Sequence, residues 1–243
     1  MRKYNYGSII LILIVNAIIS GILQNIADGN LSILSGFVAF IFDYIICRGL
    51  LYNREGSFSD YFRGIKTMTG KVFLMNILVG AITVVLLTLA ALASGAGFLL
   101  FSDYAIKDTK IVISLIVLFT LVMIFTSLIF AYLNFFMADE RYRDLTFFDS
   151  LKLIVKAGIK LFSESFMAGV EAYKITLICG VVAFISLIFV MKGMEILSIL
   201  AIIFGVIAAI ALFLCTPPFR ASLSDIYMDR AEEIYNEVIG CED

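Results

Sequence analysis

The feature of this sequence that most constrains its fold is a run of 31 residues, positions 72–102, that contains one asparagine and no charge. A second long apolar run, residues 111–138, follows after a short polar stretch. Each run exceeds the roughly 20 residues that a helix needs to cross a bilayer. Over the whole chain, 62% of the 243 residues are hydrophobic and 16% are charged, which is too little polar surface to cover a water-soluble globule. The chain is therefore predicted to be a membrane protein.

Six apolar segments separated by polar stretches are predicted to be membrane-spanning helices. They are residues 9–27, 31–47, 72–102, 111–138, 175–191 and 196–216. The start of the chain has the outline of a signal peptide, but bulky Ile18 stands where cleavage needs a small residue, so the first helix is expected to remain as an anchor. Pro217 and Pro218 are expected to end the last helix. The predicted fold class is all-α, with residues 1–243 forming one integral membrane domain.

Two polar connectors, residues 48–71 and 139–174, follow the second and fourth predicted spans. Lys and Arg total 15 on the side of the connectors and the termini, and 3 on the other side. Because the cytoplasmic loops of membrane proteins carry the excess of basic residues, both termini and both connectors are predicted to be cytoplasmic.

The connectors resemble each other at an offset of 89 residues. Identical pairs at this offset are Arg54/Arg143, Phe58/Phe147, Asp60/Asp149, Ile65/Ile154, Lys71/Lys160, Phe73/Phe162 and Gly80/Gly169. Because the identities continue into the following apolar run, residues 31–102 and 111–191 are predicted to be parallel copies of one unit, related by a rotation about the membrane normal. By this alignment the fifth helix begins near Leu161, ahead of its apolar run.

Both connectors are predicted to form amphipathic helices at the cytoplasmic boundary. In the second connector, one face combines Leu151, Ile154, Val155, Ile159, Phe162 and Phe166, with Leu153 as an exception among the lysines opposite. Ser57 before Asp60, and Thr146 before Asp149, are typical of helix starts. The basic side chains either only mark the topology or contact anionic lipid or a partner. The candidates for such contact are Arg63, Lys66, Lys71, Lys152, Lys156 and Lys160.

Ionisable residues inside a membrane are the first candidates for a functional site. Asp43 lies near the connector end of the second predicted span, with Arg48 as its expected partner. Glu164 and Glu171 share one helix face at a spacing of seven residues, and Lys174 could neutralise Glu171. The three acids are predicted to be buried, either as structural ion pairs or as a functional site.

The sequence contains no histidine, which excludes imidazole chemistry and the commonest metal ligand. Glycine-rich phosphate loops and serine nucleophile elbows are also absent. The four cysteines have no C-x-x-C spacing and are expected to be structural thiols. No cofactor, no metal site and no enzymatic activity are therefore expected. No nucleic-acid partner is expected either, although in a membrane protein the distribution of charge matters more than the net charge of −2.

The two connectors share the pattern [ST]-F-x-D-x-x-[KR], which begins at Ser57 and at Thr146, and Pro218 is followed by Tyr227 near the end of the chain. With six spans, this pattern resembles bacterial integral membrane families of uncharacterised function that are related to the membrane domain of glycerophosphodiester phosphodiesterases. The resemblance implies a bacterial envelope and this architecture, and it implies no activity, because the catalytic domain of those enzymes has no counterpart in the sequence.

The predicted function is that of a non-enzymatic membrane scaffold that interacts with membrane lipids, anionic lipids among them, or with a protein partner. Six spans and a duplication make a transporter or permease subunit the alternative. A transporter needs a polar cavity near the membrane midplane, whereas the centres of the predicted helices are nearly uniformly apolar.

Overall fold

A computed structural model describes residues 2–26, 32–94, 109–191 and 193–240. Over these residues the protein is all-α. The longer helices are α1 (Tyr6–Ile26), α2 (Ser32–Tyr52), α4 (Gly70–Ala93), α5 (Thr109–Ile129), α7 (Phe147–Lys160), α8 (Phe162–Met191) and α9 (Leu197–Val238). The shorter helices are α3 (Phe58–Phe62) and α6 (Leu133–Ala138), each followed by a 3-10 helix, Arg63–Thr67 and Glu140–Tyr142.

Six helical segments of the described residues are long and apolar enough to cross a membrane. They are Tyr6–Asn25, Leu34–Tyr52, Gly70–Ala93, Ile111–Ala138, Phe162–Val190 and Leu197–Val238. The prediction of an all-α polytopic membrane protein is therefore confirmed. Parts of three predicted spans, at residues 27, 31 and 95–102, lie outside the described residues.

Two predicted helix boundaries are wrong. The fifth spanning helix begins at Phe162 and not at residue 175. The earlier start agrees with the alignment of the two connectors, which places it near Leu161. The helix can include charged residues here because their side chains lie on its surface and do not interrupt the backbone hydrogen bonds. The last helix does not end at the two prolines but continues to Val238. Proline inside a helix costs about 3 kcal/mol. Burial of a regularly spaced face after the prolines, Ala221, Ser224, Tyr227, Ala231, Ile234 and Val238, offsets that cost.

The chain divides into two compact units. Unit 1 comprises Met1–Ile77, Ile129–Ala168 and Pro217–Asp243, and unit 2 comprises Leu78–Leu128 and Gly169–Thr216. Half of the twelve largest fully buried side chains among the described residues are aromatic, and all six of these lie in unit 1: Tyr44, Tyr61, Tyr132, Phe135, Phe136 and Tyr227. The first connector, and the second connector as far as Ala168, belong to unit 1.

The predicted helix starts in both connectors are confirmed. The Ser57 amide donates to the Asp60 carboxylate at 2.9 Å, and the Asp149 amide donates to the Thr146 hydroxyl at 3.2 Å. The first connector does not form one amphipathic helix as far as Met68, however, since α3 passes into a 3-10 helix at Arg63. The buried Gly64 packs there against the Arg48 side chain, and glycine is a weak helix former.

Candidate functional site

Helix α7, in the second connector, presents three different faces. Its buried face consists of Ser150, Leu153, Ile154, Ala157 and Gly158, and the helix ends at the buried Leu161. Gly158 is required for this packing, because a Cβ atom built there would lie 1.8 Å from the Ile129 carbonyl oxygen. The prediction that Leu153 is the exception on a lysine face is therefore wrong, since Leu153 is fully buried in unit 1.

The second face of α7 is apolar and exposed. Phe148 is 77% exposed and Ile159 is 59% exposed, and the partly exposed Leu151 and Val155 lie between them at helical spacing. The third face carries Lys152, Lys156 and Lys160 at intervals of four residues, and all three are exposed. One face of α7 therefore packs against the rest of the protein, the second is apolar and exposed, and the third is basic and exposed.

Two of the six predicted contact residues are engaged inside unit 1. Lys160 forms ion pairs with Glu233 at 2.9 Å and Glu237 at 2.5 Å, and these contacts raise its pKa, hydrogen bonding to Glu237 contributing most. Lys71 donates to the Leu145 carbonyl oxygen at 2.6 Å. Two of the ammonium groups that the sequence suggests for lipid contact are therefore occupied by contacts within the protein, one with the last helix and one with the second connector.

The other four basic candidates, Arg63, Lys66, Lys152 and Lys156, are exposed. The side chain of Arg63 is 76% exposed and lies 3.5 Å from Asp60. Lys156 lies one helical turn from both Lys152 and Lys160, and each of these two neighbours has a partner within the protein. These four side chains remain accessible to a ligand or surface outside the chain.

Asp43 is held by two helices in addition to its own. Arg220 of α9 forms an ion pair with one carboxylate oxygen of Asp43. Asn134 of α6 donates to the other oxygen at 2.6 Å. Asn134 in turn accepts a hydrogen bond from Asn76 of α4 at 3.0 Å, and both asparagines are buried. The expected partner Arg48 instead contacts Glu140 at 2.8 Å, so Arg220 is the residue that sequence reasoning missed.

Glu164 and Glu171 are exposed, so the prediction that they point into the bundle interior is wrong. Glu164 pairs with Arg230 of α9 at 3.2 Å in unit 1, and its side chain is 44% exposed. Among the ion pairs of the described residues, none joins Glu171 to Lys174. The buried position next to Glu164 on α8 is Ser165, whose hydroxyl bonds to that of Tyr132 at 2.6 Å.

The most buried carboxylate in the connectors is Asp139, which sequence reasoning did not single out. Its side chain is 4% exposed and accepts bonds from the Arg141 guanidinium at 2.8 Å, the Arg141 amide at 3.0 Å and the Tyr227 hydroxyl at 2.9 Å. Burial acts to raise the pKa of Asp139, but the hydrogen bonds and charge of Arg141 together with Tyr227 outweigh it and lower the pKa below its ordinary value. Asp139 is therefore a charged, fully bonded anchor.

The segment of α9 after the prolines is held within unit 1 by contacts on several sides. Arg2 pairs with Asp225 at 2.9 Å and with Asp229 at 2.7 Å. Tyr227 stacks on Phe135 with ring centroids 5.5 Å apart. Each of these exposed ion pairs is worth at most about 1 kcal/mol, so the aromatic packing contributes more to holding the helix.

Among the residues that the structure describes, no group of three or more Cys, Asp or Glu side chains could hold a metal ion. Cys47, Cys179 and Cys215 are free thiols. No family model, no curated protein and no solved structure matches the chain.

Proposed function

We propose that the protein is a non-enzymatic, lipid-interacting scaffold of a bacterial cell membrane. The observation that carries the proposal is the three-faced helix α7, which is packed against unit 1 and keeps an apolar face and a lysine face exposed. An exposed phenylalanine such as Phe148 is unfavourable in water, whereas at a bilayer interface it enters the boundary between headgroups and acyl chains.

The lysine face adjoins the apolar face, as expected for a helix that lies along a membrane surface. With the apolar face in the acyl boundary, Lys152 and Lys156 reach the headgroup region. Each lysine near an anionic leaflet contributes about 1 kcal/mol. Because α7 is fixed by its buried face, the protein presents this surface without first having to fold a free segment.

The proposal places both termini and both connectors on the cytoplasmic side, in line with the 15 to 3 division of basic residues. An impermeant thiol reagent applied to intact cells should leave Ser59→Cys and Asp144→Cys unlabelled, while a permeant reagent labels both. The unsubstituted chain gives the background from its own cysteines. Labelling of either variant from outside would refute this topology.

The lipid contact is tested with the full chain in bilayers that contain spin-labelled phosphatidylglycerol or phosphatidylcholine. The protein should prefer phosphatidylglycerol, and Lys152→Gln with Lys156→Gln should weaken that preference by up to about 2 kcal/mol at low salt, from about 1 per lysine. The matched control, Lys3→Gln with Lys174→Gln, removes the same charge elsewhere. Equal preference for both lipids in the unsubstituted protein would rule out the proposal.

A second candidate function is transport, favoured by the cluster of Asp43, Arg220, Asn76 and Asn134. These side chains lie on four of the candidate spanning helices, and ionisable groups in such segments often line a solute path. The direct pairing of Asp43 with Arg220 also fits a structural role. Proteoliposomes that show solute flux, abolished by Asp43→Asn in a folded protein, would support transport over the scaffold.

A further inference from the structure

Unit 1 contains a pocket of about 190 Å³ between the end of α2 and the first connector. The polar side chains that line it belong to Arg48, Tyr52, Asn53, Asp60, Arg63 and Thr67. Arg48 and Tyr52 lie at the end of the candidate span Leu34–Tyr52, and Asn53 directly follows it. Headgroup phosphates lie at this depth when the helix crosses a bilayer.

The two guanidinium groups in the pocket differ in how firmly they are held. Arg48 is fixed, because it donates to the Ala138 carbonyl oxygen at 3.0 Å and to Glu140 at 2.8 Å, and its side chain is 14% exposed. Arg63 has one acidic neighbour among the described residues, Asp60 at 3.5 Å, and its side chain is 76% exposed. Arg48 thus supplies a fixed positive charge, and Arg63 keeps donors available for a ligand.

Asn53 is a further available donor. Among the described residues its side-chain amide has no hydrogen-bond partner, whereas its backbone amide bonds to the Gly49 carbonyl oxygen at 2.7 Å. The Thr67 hydroxyl, in contrast, donates to the Gly64 carbonyl oxygen at 2.7 Å. The pocket therefore combines the exposed guanidinium of Arg63, the side-chain amide of Asn53 and the fixed guanidinium of Arg48.

Two carboxylates and one backbone feature oppose a bound anion. Glu140 pairs with Arg48 at 2.8 Å and offsets part of its positive charge. The carboxylate of Asp60 is negative. It accepts a hydrogen bond from the Ser57 hydroxyl at 2.7 Å and another from the Ser57 amide, and these bonds lower the pKa of Asp60 below its ordinary value. Those bonds also hold the carboxylate at the start of α3 and so reduce its charge density toward the pocket. The carbonyl end of α2 is partly neutralised by Arg54, which donates to the Leu50 carbonyl oxygen at 3.1 Å.

We infer that this pocket binds a phosphate group, held by Arg63 and Asn53 and attracted by the fixed charge of Arg48. Guanidinium groups suit phosphate because their planar donors match its oxygens. A volume of about 190 Å³ is below the ~300 Å³ at which pockets for drug-sized ligands begin, so a single phosphate with a small substituent fits and a nucleotide does not. Inorganic phosphate and a lipid headgroup share this chemistry.

The inference does not depend on α7, because the pocket is built from α2, α3 and the first 3-10 helix. The test uses the full chain in neutral detergent, titrated with inorganic phosphate and with glycerol phosphate by calorimetry. In parallel, nanodiscs of phosphatidylcholine with a small fraction of phosphatidylglycerol are followed by native mass spectrometry, which counts the anionic lipid retained by the protein.

Arg63→Gln should weaken the binding of the phosphate probe about tenfold, as expected for the loss of charge-assisted hydrogen bonds. Lys66→Gln is the matched control, since it removes the same charge from the same 3-10 helix without lining the pocket, and it should change binding less than about twofold. Asn53→Ala should weaken binding by a smaller factor than Arg63→Gln. Because Arg63 is largely exposed, its substitution leaves the fold intact.

Binding of free phosphate that depends on Arg63 supports the inference, with a soluble phosphate as ligand. Retention of one phosphatidylglycerol that depends on Arg63, without binding of free phosphate, supports it with a lipid headgroup as ligand. No binding of either probe, or equal losses in Arg63→Gln and Lys66→Gln, would overturn it. The double lysine variant of α7 should leave this single binding event unchanged, so failure of the pocket and failure of the scaffold proposal are distinguishable.

Discussion

Unit 1 and unit 2 differ in what covers their apolar side chains. In unit 1, aromatic rings are fully buried, and the ion pairs of the described residues lie in this unit. In unit 2, the apolar residues buried among those described are Ala90, Leu128 and Cys179. Many of its large apolar side chains are exposed, such as Val84 at 63%, Ile178 at 65% and Ile202 at 65%. Unit 1 also exposes some on its spanning helices, such as Ile18 at 56% and Leu74 at 55%, but it has the larger buried core.

This difference shows that two kinds of physical chemistry act in one chain. Unit 1 has an interior of packed aromatic rings, and among the described residues its buried side-chain polar atoms are hydrogen-bonded except for the Ser224 hydroxyl. The surface of unit 2 is suited to an apolar solvent, and a bilayer supplies one. Substitutions that disturb buried contacts should therefore destabilise unit 1 strongly, whereas similar substitutions in unit 2 should have small effects.

The largest effect is expected from Asp139→Ala in unit 1. Removing this carboxylate leaves the buried Tyr227 hydroxyl and the Arg141 guanidinium without their partner. Breaking a buried charge pair costs about 3–5 kcal/mol, and we expect the lower end, because the Arg141 side chain is 53% exposed and can turn to water. The free energy of unfolding in mixed micelles, followed by near-UV circular dichroism of tyrosine, measures the loss.

The matched control for this variant is Asp144→Ala, which makes the same change at an exposed position five residues along the chain. It should alter the free energy of unfolding by less than about 0.5 kcal/mol. Equal effects of the two substitutions would show that unit 1 does not have the tightly satisfied interior described above.

A smaller effect separates two glycines, one from each unit. Gly158→Ala forces a methyl group against the Ile129 carbonyl oxygen, and overpacking of this kind costs about 1–3 kcal/mol. A Cβ atom at Gly180 in unit 2 meets nothing within 4 Å, so Gly180→Ala should stabilise its helix by about 0.5–1 kcal/mol. Thermal unfolding of both variants in one detergent decides the point, and destabilisation by Gly180→Ala would contradict the open environment of unit 2.

The sequence allowed the fold class, the six spans and the helix starts at Ser57 and Thr146 to be predicted, because each rests on local physical chemistry. A long run of apolar residues indicates a spanning helix, and a residue with a hydroxyl followed three positions later by an acid indicates a helix start. The continuation of α9 past Pro217 was not predictable in this way. It depends on packing against residues far away in the chain, and local propensity contains no information about that packing.

The orientation of α7 could not be predicted for a different reason. Helical periodicity identifies an apolar face by contrast with water, but at a membrane both the protein side and the lipid side accept apolar residues. Helical spacing therefore groups Ile159 with Ile154 on one face, whereas in the structure Ile154 is fully buried and Ile159 is 59% exposed. The bonding of Asp139 to Tyr227, 88 residues away, was missed because neither residue belongs to a recognisable local pattern.

The smallest expected effect is the pH dependence that Asp139 gives to unit 1. Protonation removes its charge but keeps its atoms, so the effect must be smaller than that of Asp139→Ala. The pKa of Asp139 is lower in the folded protein than its ordinary value of about 3.9. The stabilisation from Asp139 is therefore fully present above about pH 4 and is lost as the pH falls through the folded pKa.

The difference in the free energy of unfolding between the unsubstituted protein and Asp139→Asn isolates this contribution, because other carboxylates titrate in both proteins. That difference should be constant from pH 7 to about pH 4 and should shrink at lower pH. A second comparison, with Asp60→Asn, controls for the exposed cap of α3, whose pKa is also lowered by hydrogen bonds from Ser57. If the difference for Asp139→Asn instead persists undiminished into strong acid, the buried carboxylate is not what distinguishes the interior of unit 1, and aromatic packing alone accounts for the contrast with unit 2.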